Sequence, residues 1–163
     1  MKYFVATLFL LVCFFAKAQE CDPLDSNKFS LYKKHIKRYT KLINKQKYKK
    51  VDPIITYGIA TYLRLSNDTN CNYWYRTIVP LCKYIYSGYD LQDKGLKTKL
   101  IAYIAMSYYY LKDYKNAELW LNKVVKCRFD ACYLYILSLT QKQLGENEDA
   151  DATLKQYNEM IKK

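Results

Sequence analysis

A sequence pattern that recurs at a fixed offset of 33 residues constrains the fold of this chain more than any other feature. Its two copies are Ile104-Ala105-x-x-Tyr108 with Ala117-x-x-x-Leu121, and Leu137-Ser138-x-x-Gln141 with Ala150-x-x-x-Leu154. Self-similarity at such a period is typical of proteins whose units stack, because one unit alone cannot bury its apolar face. We therefore expect at least the C-terminal half to consist of stacked units.

Apolar residues recur at helical spacing along the rest of the chain. Phe29, Tyr32, Ile36, Tyr39 and Ile43 are separated by three and four residues, which predicts an amphipathic helix. A second helix is predicted to begin at Asp52-Pro53. Five more helices are predicted over about 73–86, 93–111, 114–126, 130–144 and 147–161. With only 4 glycines and 3 prolines, and no strand-like alternation, the sequence predicts an all-α fold of about seven helices.

The repeated unit resembles the tetratricopeptide repeat. Small Ala105 and Ala117 occupy the positions where the family's two helices approach closely. The larger family positions are matched by Ile101, Ile104, Tyr108, Leu121 and Val124, and in the next unit by Leu134, Leu137, Leu154 and Tyr157. Gln141 departs from the family pattern, which has an aromatic residue there. The resemblance is best over residues 98–160 and implies antiparallel helix–turn–helix repeats stacked as a short α-solenoid. The alternative is an irregular bundle with two similar hairpins.

The first 18 residues have the pattern of a secretory signal peptide. Lys2 precedes an apolar run over 3–15, and Ala16-Lys17-Ala18 fits a cleavage site. Residues 19–27 would then form an N-terminal extension, and 28–163 a single helical-repeat domain. We therefore expect an exported protein that is periplasmic, envelope-associated or extracellular.

Positive charge is concentrated in the first helix and the turn after it. Of the 27 basic residues, Lys2 and Lys17 fall in the signal peptide, which leaves 25 against 15 acidic residues. Residues 28–50 hold 10 of these basic residues and no acidic one. We define the basic patch as Lys33, Lys34, Lys37, Arg38, Lys41 and Lys45. Because this patch lies opposite an apolar stripe, it predicts binding to an anionic membrane surface or envelope polymer. We expect no specific nucleic-acid partner. The alternative is that the stripe packs on the second helix and the lysines are solvated.

A second candidate surface follows from the resemblance. Proteins of this family hold a peptide or a partner helix in the concave face lined by each unit's first helix. The residues not used for packing there are Lys99, Tyr103, Met106 and Tyr110 on the fourth helix, and Tyr135, Leu139 and Lys142 on the sixth. Tyrosine and methionine suit adaptable interfaces. These residues predict a protein–protein interaction scaffold or adaptor with an unknown protein or peptide partner, unless they are ordinary core residues.

The remaining reactive side chains indicate neither a metal site nor an enzyme. Cys127 and Cys132 flank a predicted turn and could form a disulfide in an exported chain, or could be small buried residues. There is no Cys-x-x-Cys pair, and the single histidine, His35, lies among lysines. No phosphate-binding loop, serine elbow or paired-carboxylate motif is found. We expect no catalysis, no metal and no cofactor.

Overall fold

The computed structural model describes residues 29–45, 47, 50–88, 94–127 and 130–162. The predicted signal peptide and N-terminal extension lie outside these residues. The described part of the chain contains seven α-helices and no strand, which confirms the predicted all-α fold. The helices are α1 (Phe29–Asn44), α2 (Pro53–Leu65), α3 (Cys71–Gly88), α4 (Lys94–Tyr110), α5 (Tyr114–Cys127), α6 (Ala131–Leu144) and α7 (Asn147–Ile161).

Local sequence signals set several of these helix ends. The Asp52 side chain accepts hydrogen bonds from the backbone N–H of Ile54 at 2.8 Å and of Ile55 at 3.4 Å, and Pro53 follows in the first turn. Asp130 accepts from the backbone N–H of Cys132 in the same way. Gly145 ends α6 at φ 83°, in the left-handed region that glycine adopts without strain. The predicted start of α2 at Asp52-Pro53 is therefore confirmed, and Asp130 and Gly145 bound the helix predicted over 130–144.

The helices stack in chain order. Each one packs chiefly on the helix before it and the helix after it. Short turns at 66–70, 111–113 and 145–146 make consecutive helices antiparallel hairpins: α2 with α3, α4 with α5, and α6 with α7. The arrangement is a row of hairpins preceded by α1.

The repeated positions lie in the core. Ala105 and Ala117 are completely buried where α4 packs on α5, and Ser138 and Ala150 are buried where α6 packs on α7. Small side chains at these positions let the helix axes approach closely, as expected for close-packed interiors. Gln141, the departure from the family pattern, is also buried. Its amide donates to Glu118 Oε1 at 3.3 Å and accepts from Thr153 Oγ1 at 2.9 Å, so it joins α5, α6 and α7.

The apolar stripe of α1 packs onto the molecule. Tyr32, Tyr39 and Ile43 are buried, and the hydroxyl of Tyr39 accepts a hydrogen bond from the backbone N–H of Asp52 at 3.4 Å. The ring of Tyr32 lies against Gly58 of α2, in space that a Cβ at residue 58 would occupy. These three stripe residues are therefore used for packing, while Ile36 is half-buried and Leu31 on the same helix is 36 % exposed.

Candidate interaction surfaces

Half-buried tyrosines connect alternate helices. Tyr103 of α4 stacks on Tyr57 of α2 with 4.4 Å between ring centroids and 17° between the rings. Burial, with smaller contributions from neighbouring Cys82 and Tyr133, raises the pKa of Tyr103 to about 12. We call Tyr103, Tyr109, Tyr110, Tyr133 and Tyr135 the tyrosine row, since all five are partly exposed on α4 and α6.

Arg64 of α2 is held beside one end of this row. Its guanidinium carbon lies 4.2 Å from the centroid of the Tyr110 ring, and its Nε donates to the hydroxyl of Tyr75 at 3.2 Å. The rings of Tyr75 and Tyr110 are themselves 5.0 Å apart. Cation–π contact and hydrogen bonding therefore fix the orientation of Tyr110.

The row continues toward the C-terminus. Burial raises the pKa of Tyr109, with smaller contributions from Tyr114 and Tyr135 and an opposing one from Arg64. Tyr135 in turn lies 5.3 Å from Tyr157 of α7, measured between ring centroids. Aromatic contacts thus join α2, α3 and α4 at one end of the row and α6 and α7 at the other.

The structure divides the predicted concave-face residues into three groups. Lys99 and Lys142 are exposed, while Tyr103, Tyr110, Tyr135 and Leu139 are half-buried. Met106 is only 2 % exposed and belongs to the core, so its prediction as a binding residue is wrong. The reason is that α4 is buried on almost every side around its middle, and spacing from Tyr103 alone could not show this.

Sequence reasoning missed Tyr57, Arg64, Tyr75, Tyr109 and Tyr133. Helical spacing within α4 and α6 could not find the first three, since they lie on α2 and α3. The available signal was compositional: the chain has 19 tyrosines, with three consecutive ones at 108–110. So many rings in a small helical chain favour ring-to-ring contact.

The basic patch on α1 is accessible. Its six basic side chains are exposed, and none of them forms an ion pair with another described residue. Since Tyr32, Tyr39 and Ile43 beneath it are buried, the patch offers mainly charge.

A second group of cations lies on α3, α4 and α5. We define the lysine–aromatic cluster as Lys83, Lys97 and Lys123 with the rings of Tyr86, Tyr108 and Trp120. Lys123 Nζ lies 4.1 Å from the centroid of Trp120, and Lys97 Nζ lies 5.4 Å from that of Tyr86. Tyr86 and Trp120 meet edge to face at 6.3 Å.

The predicted Cys127–Cys132 bridge is wrong. Cys127, the last residue of α5, is an exposed free thiol. Cys132 is disulfide-bonded, and therefore to a residue other than Cys127. The physical reason is that Cys127 points to solvent at a helix end, whereas Cys132 is half-buried in the first turn of α6. Cys71 and Cys82 are also free thiols.

Metal-binding clusters are absent from the described residues. His35 is half-buried, its Nδ1 has no hydrogen-bond partner, and its ring lies 5.0 Å from that of Tyr39. Among the described helices, none is both long and apolar enough to cross a membrane.

No protein-family model, curated protein or solved structure matches this chain. The class of the protein therefore follows from its architecture alone: an all-α chain of stacked helical hairpins.

Proposed function

We propose that this chain is a non-catalytic helical-repeat protein, similar to tetratricopeptide-repeat proteins, that acts as a scaffold or adaptor for a protein or peptide partner. The observation that carries the proposal is the tyrosine row. It offers five partly exposed rings on α4 and α6, with exposed Lys99 and Lys142 on the same two helices. The buried repeat positions Ala105 and Ala117 support the family resemblance.

The row has physical properties that favour protein recognition. Tyrosine supplies a large apolar area and a polar hydroxyl, and it is enriched at interface cores. Because Tyr103 is stacked on Tyr57 and Tyr110 is held by Arg64, these rings are already ordered before a partner binds. Ordered side chains lose less conformational entropy on association, and this favours affinity.

The chemistry of the row supports binding over catalysis. A tyrosine with a pKa of about 12, as burial gives Tyr103, stays protonated at neutral pH and exchanges protons poorly. Lys99 and Lys142 can instead attract carboxylates of a bound segment. We propose that the protein acts outside the cytoplasm, on the basis of the predicted signal peptide at 1–18.

Site-specific photo-crosslinking tests this function. A photoreactive phenylalanine analogue replaces Lys99 or Lys142 in the test proteins. In the matched controls it replaces Lys115 on α5 or Lys155 on α7. All four lysines are exposed. We expect one discrete protein adduct from residues 99 and 142 only. Adding Tyr135→Ser to the residue 99 probe should abolish that adduct. Equal adducts from all four positions, or none from 99 and 142, would contradict the proposal.

A second candidate function is electrostatic binding of an anionic membrane or envelope polymer through the basic patch on α1. The supporting observation is six exposed basic side chains without ion pairs. Because Tyr32, Tyr39 and Ile43 beneath them are buried, this binding would depend mainly on charge and would weaken steeply with salt. The triple variant Lys33→Gln, Lys37→Gln and Lys41→Gln should abolish it. Salt-insensitive binding would contradict this candidate.

A further inference from the structure

The lysine–aromatic cluster holds its ammonium groups at defined positions. Lys83 Nζ donates to the hydroxyl of Tyr108 at 3.0 Å and also lies 5.6 Å from the centroid of Trp120. Lys123 lies over the same indole at 4.1 Å. Cation–π contact restrains flexible lysine side chains that would otherwise sample many rotamers. The cluster is therefore more ordered than ordinary surface lysines.

The positive charge of this cluster is not neutralised within the described chain. Lys83, Lys97 and Lys123 are exposed, and none forms an ion pair with a described carboxylate. Three cations gathered across two packed rings repel one another. An occupant with several negative charges would relieve this repulsion.

Exposed apolar side chains lie next to the cluster in sequence. Leu119 precedes Trp120 on α5 and is 54 % exposed, whereas Tyr84, 44 % exposed, is turned about 100° around α3 from Lys83. Leu119 is also one helical turn before Lys123, so the two share a face of α5. The occupant should accordingly offer apolar contact as well as negative charge.

We propose that α3 and α5 dock this surface on an anionic lipid bilayer. Lipid phosphates would face the three lysines, while Leu119 would enter the boundary between headgroups and acyl chains. Lysine, aromatic and leucine side chains are characteristic of peripheral membrane surfaces. An acidic peptide would satisfy the lysines but gives no reason for an exposed leucine beside them. The proposal is independent of the tyrosine row.

Vesicle sedimentation with the chain lacking residues 1–18 tests this inference. The probes are phosphatidylcholine vesicles with and without phosphatidylglycerol. The first variant carries Lys83→Gln, Lys97→Gln and Lys123→Gln. Its matched control carries Lys115→Gln on α5, Lys155→Gln on α7 and Lys162→Gln just after α7, with the same loss of charge at exposed lysines outside the cluster and the basic patch. The second pair is Leu119→Ser against Leu65→Ser, since both leucines are exposed on helix surfaces. Circular dichroism checks that each variant remains helical.

We expect the cluster variant to lose about 100-fold in affinity for anionic vesicles, since each lysine near the surface contributes about fivefold. The matched lysine control should lose far less. Leu119→Ser should weaken binding about tenfold, and Leu65→Ser should not change it. Equal losses in the two lysine variants, or no effect of Leu119→Ser, would overturn the proposal. Binding to soluble polyglutamate that exceeds binding to vesicles would overturn it in favour of an acidic protein partner.

Discussion

At the residue scale, the contact between Gly58 and Tyr32 sets how closely α1 approaches α2. A Cβ built at residue 58 would lie 2.8 Å from the Tyr32 hydroxyl oxygen and would overlap the ring itself. Glycine is unfavourable in the middle of a helix by about 1 kcal/mol relative to alanine. Its presence inside α2 is therefore explained by packing: the ring of a buried tyrosine needs the space.

Gly58→Ala should lower the free energy of unfolding by about 1–2 kcal/mol. Overpacking costs about 1–3 kcal/mol, and overlap with the Tyr32 ring places this site in the upper part of that range, above the helix-propensity gain of about 1 kcal/mol. In a Tyr32→Leu background the ring is absent, so the same substitution should be neutral or stabilising. Urea denaturation of the four proteins measures this. The same cost in both backgrounds would show that Tyr32 does not limit the space at residue 58.

Buried thiol and phenol groups predict a loss of stability at alkaline pH. Burial raises the pKa of Cys82 from its ordinary 9.0 to about 12, and that of Tyr103 from 10.0 to about 12. The unfolded state therefore loses these protons at lower pH than the folded state does. The stability that they contribute is complete below pH 9 and falls as pH rises toward 12.

Melting temperature measured as a function of pH should show this decrease in stability at alkaline pH. The melting temperature of the wild-type chain should fall as pH rises above about 9. Cys82→Ala should make this fall less steep between pH 9 and 10. Tyr103→Phe should reduce the slope above about pH 10. The control is Cys127→Ala, which removes an exposed thiol and should leave the slope unchanged. A Cys82→Ala variant with the wild-type slope would refute the role of burial.

At the scale of helices, Gln141 joins three elements through two hydrogen bonds. It accepts from Thr153 of α7 and donates to Glu118 of α5. The caps at Asp52 and Asp130 and the end of α6 at Gly145 were readable from sequence, because each depends on residues next to it. Gln141 was recognised only as a departure from a pattern. Its partners are 12 and 23 residues away in sequence, so local spacing could not identify them.

Gln141→Leu should destabilise the chain by about 1–3 kcal/mol, because it leaves the buried hydroxyl of Thr153 without its acceptor. Combining it with Thr153→Val removes the unsatisfied group, so the added cost of Gln141→Leu should fall below about 1 kcal/mol. A double-mutant cycle by thermal or urea denaturation measures the difference. Additive effects would mean that the two side chains are not coupled.

At the scale of the whole molecule, helical spacing and the repeat were enough to predict an all-α fold of about seven helices, and the described residues contain seven. Long-range contacts were not predictable in the same way. The stacking of Tyr57 on Tyr103 joins residues 46 positions apart, and the lysine–aromatic cluster assembles side chains from three helices. Met106 was misplaced for the same reason, since its burial depends on neighbouring helices rather than on its position within α4.

The stacking order predicts that the two ends of the molecule open independently. α1 packs chiefly on α2, and α7 chiefly on α6, so neither end supports the other directly. Tyr39→Ala should therefore speed backbone hydrogen exchange in residues 29–44 and leave 131–161 unchanged. Leu134→Ala should do the reverse, because both side chains are buried and each truncation costs about 2–5 kcal/mol locally. Exchange measured by mass spectrometry on peptides from each helix checks this. Faster exchange throughout the chain in either variant would mean that the molecule unfolds as one cooperative unit, as an irregular bundle would. That result would contradict independent opening of stacked repeats.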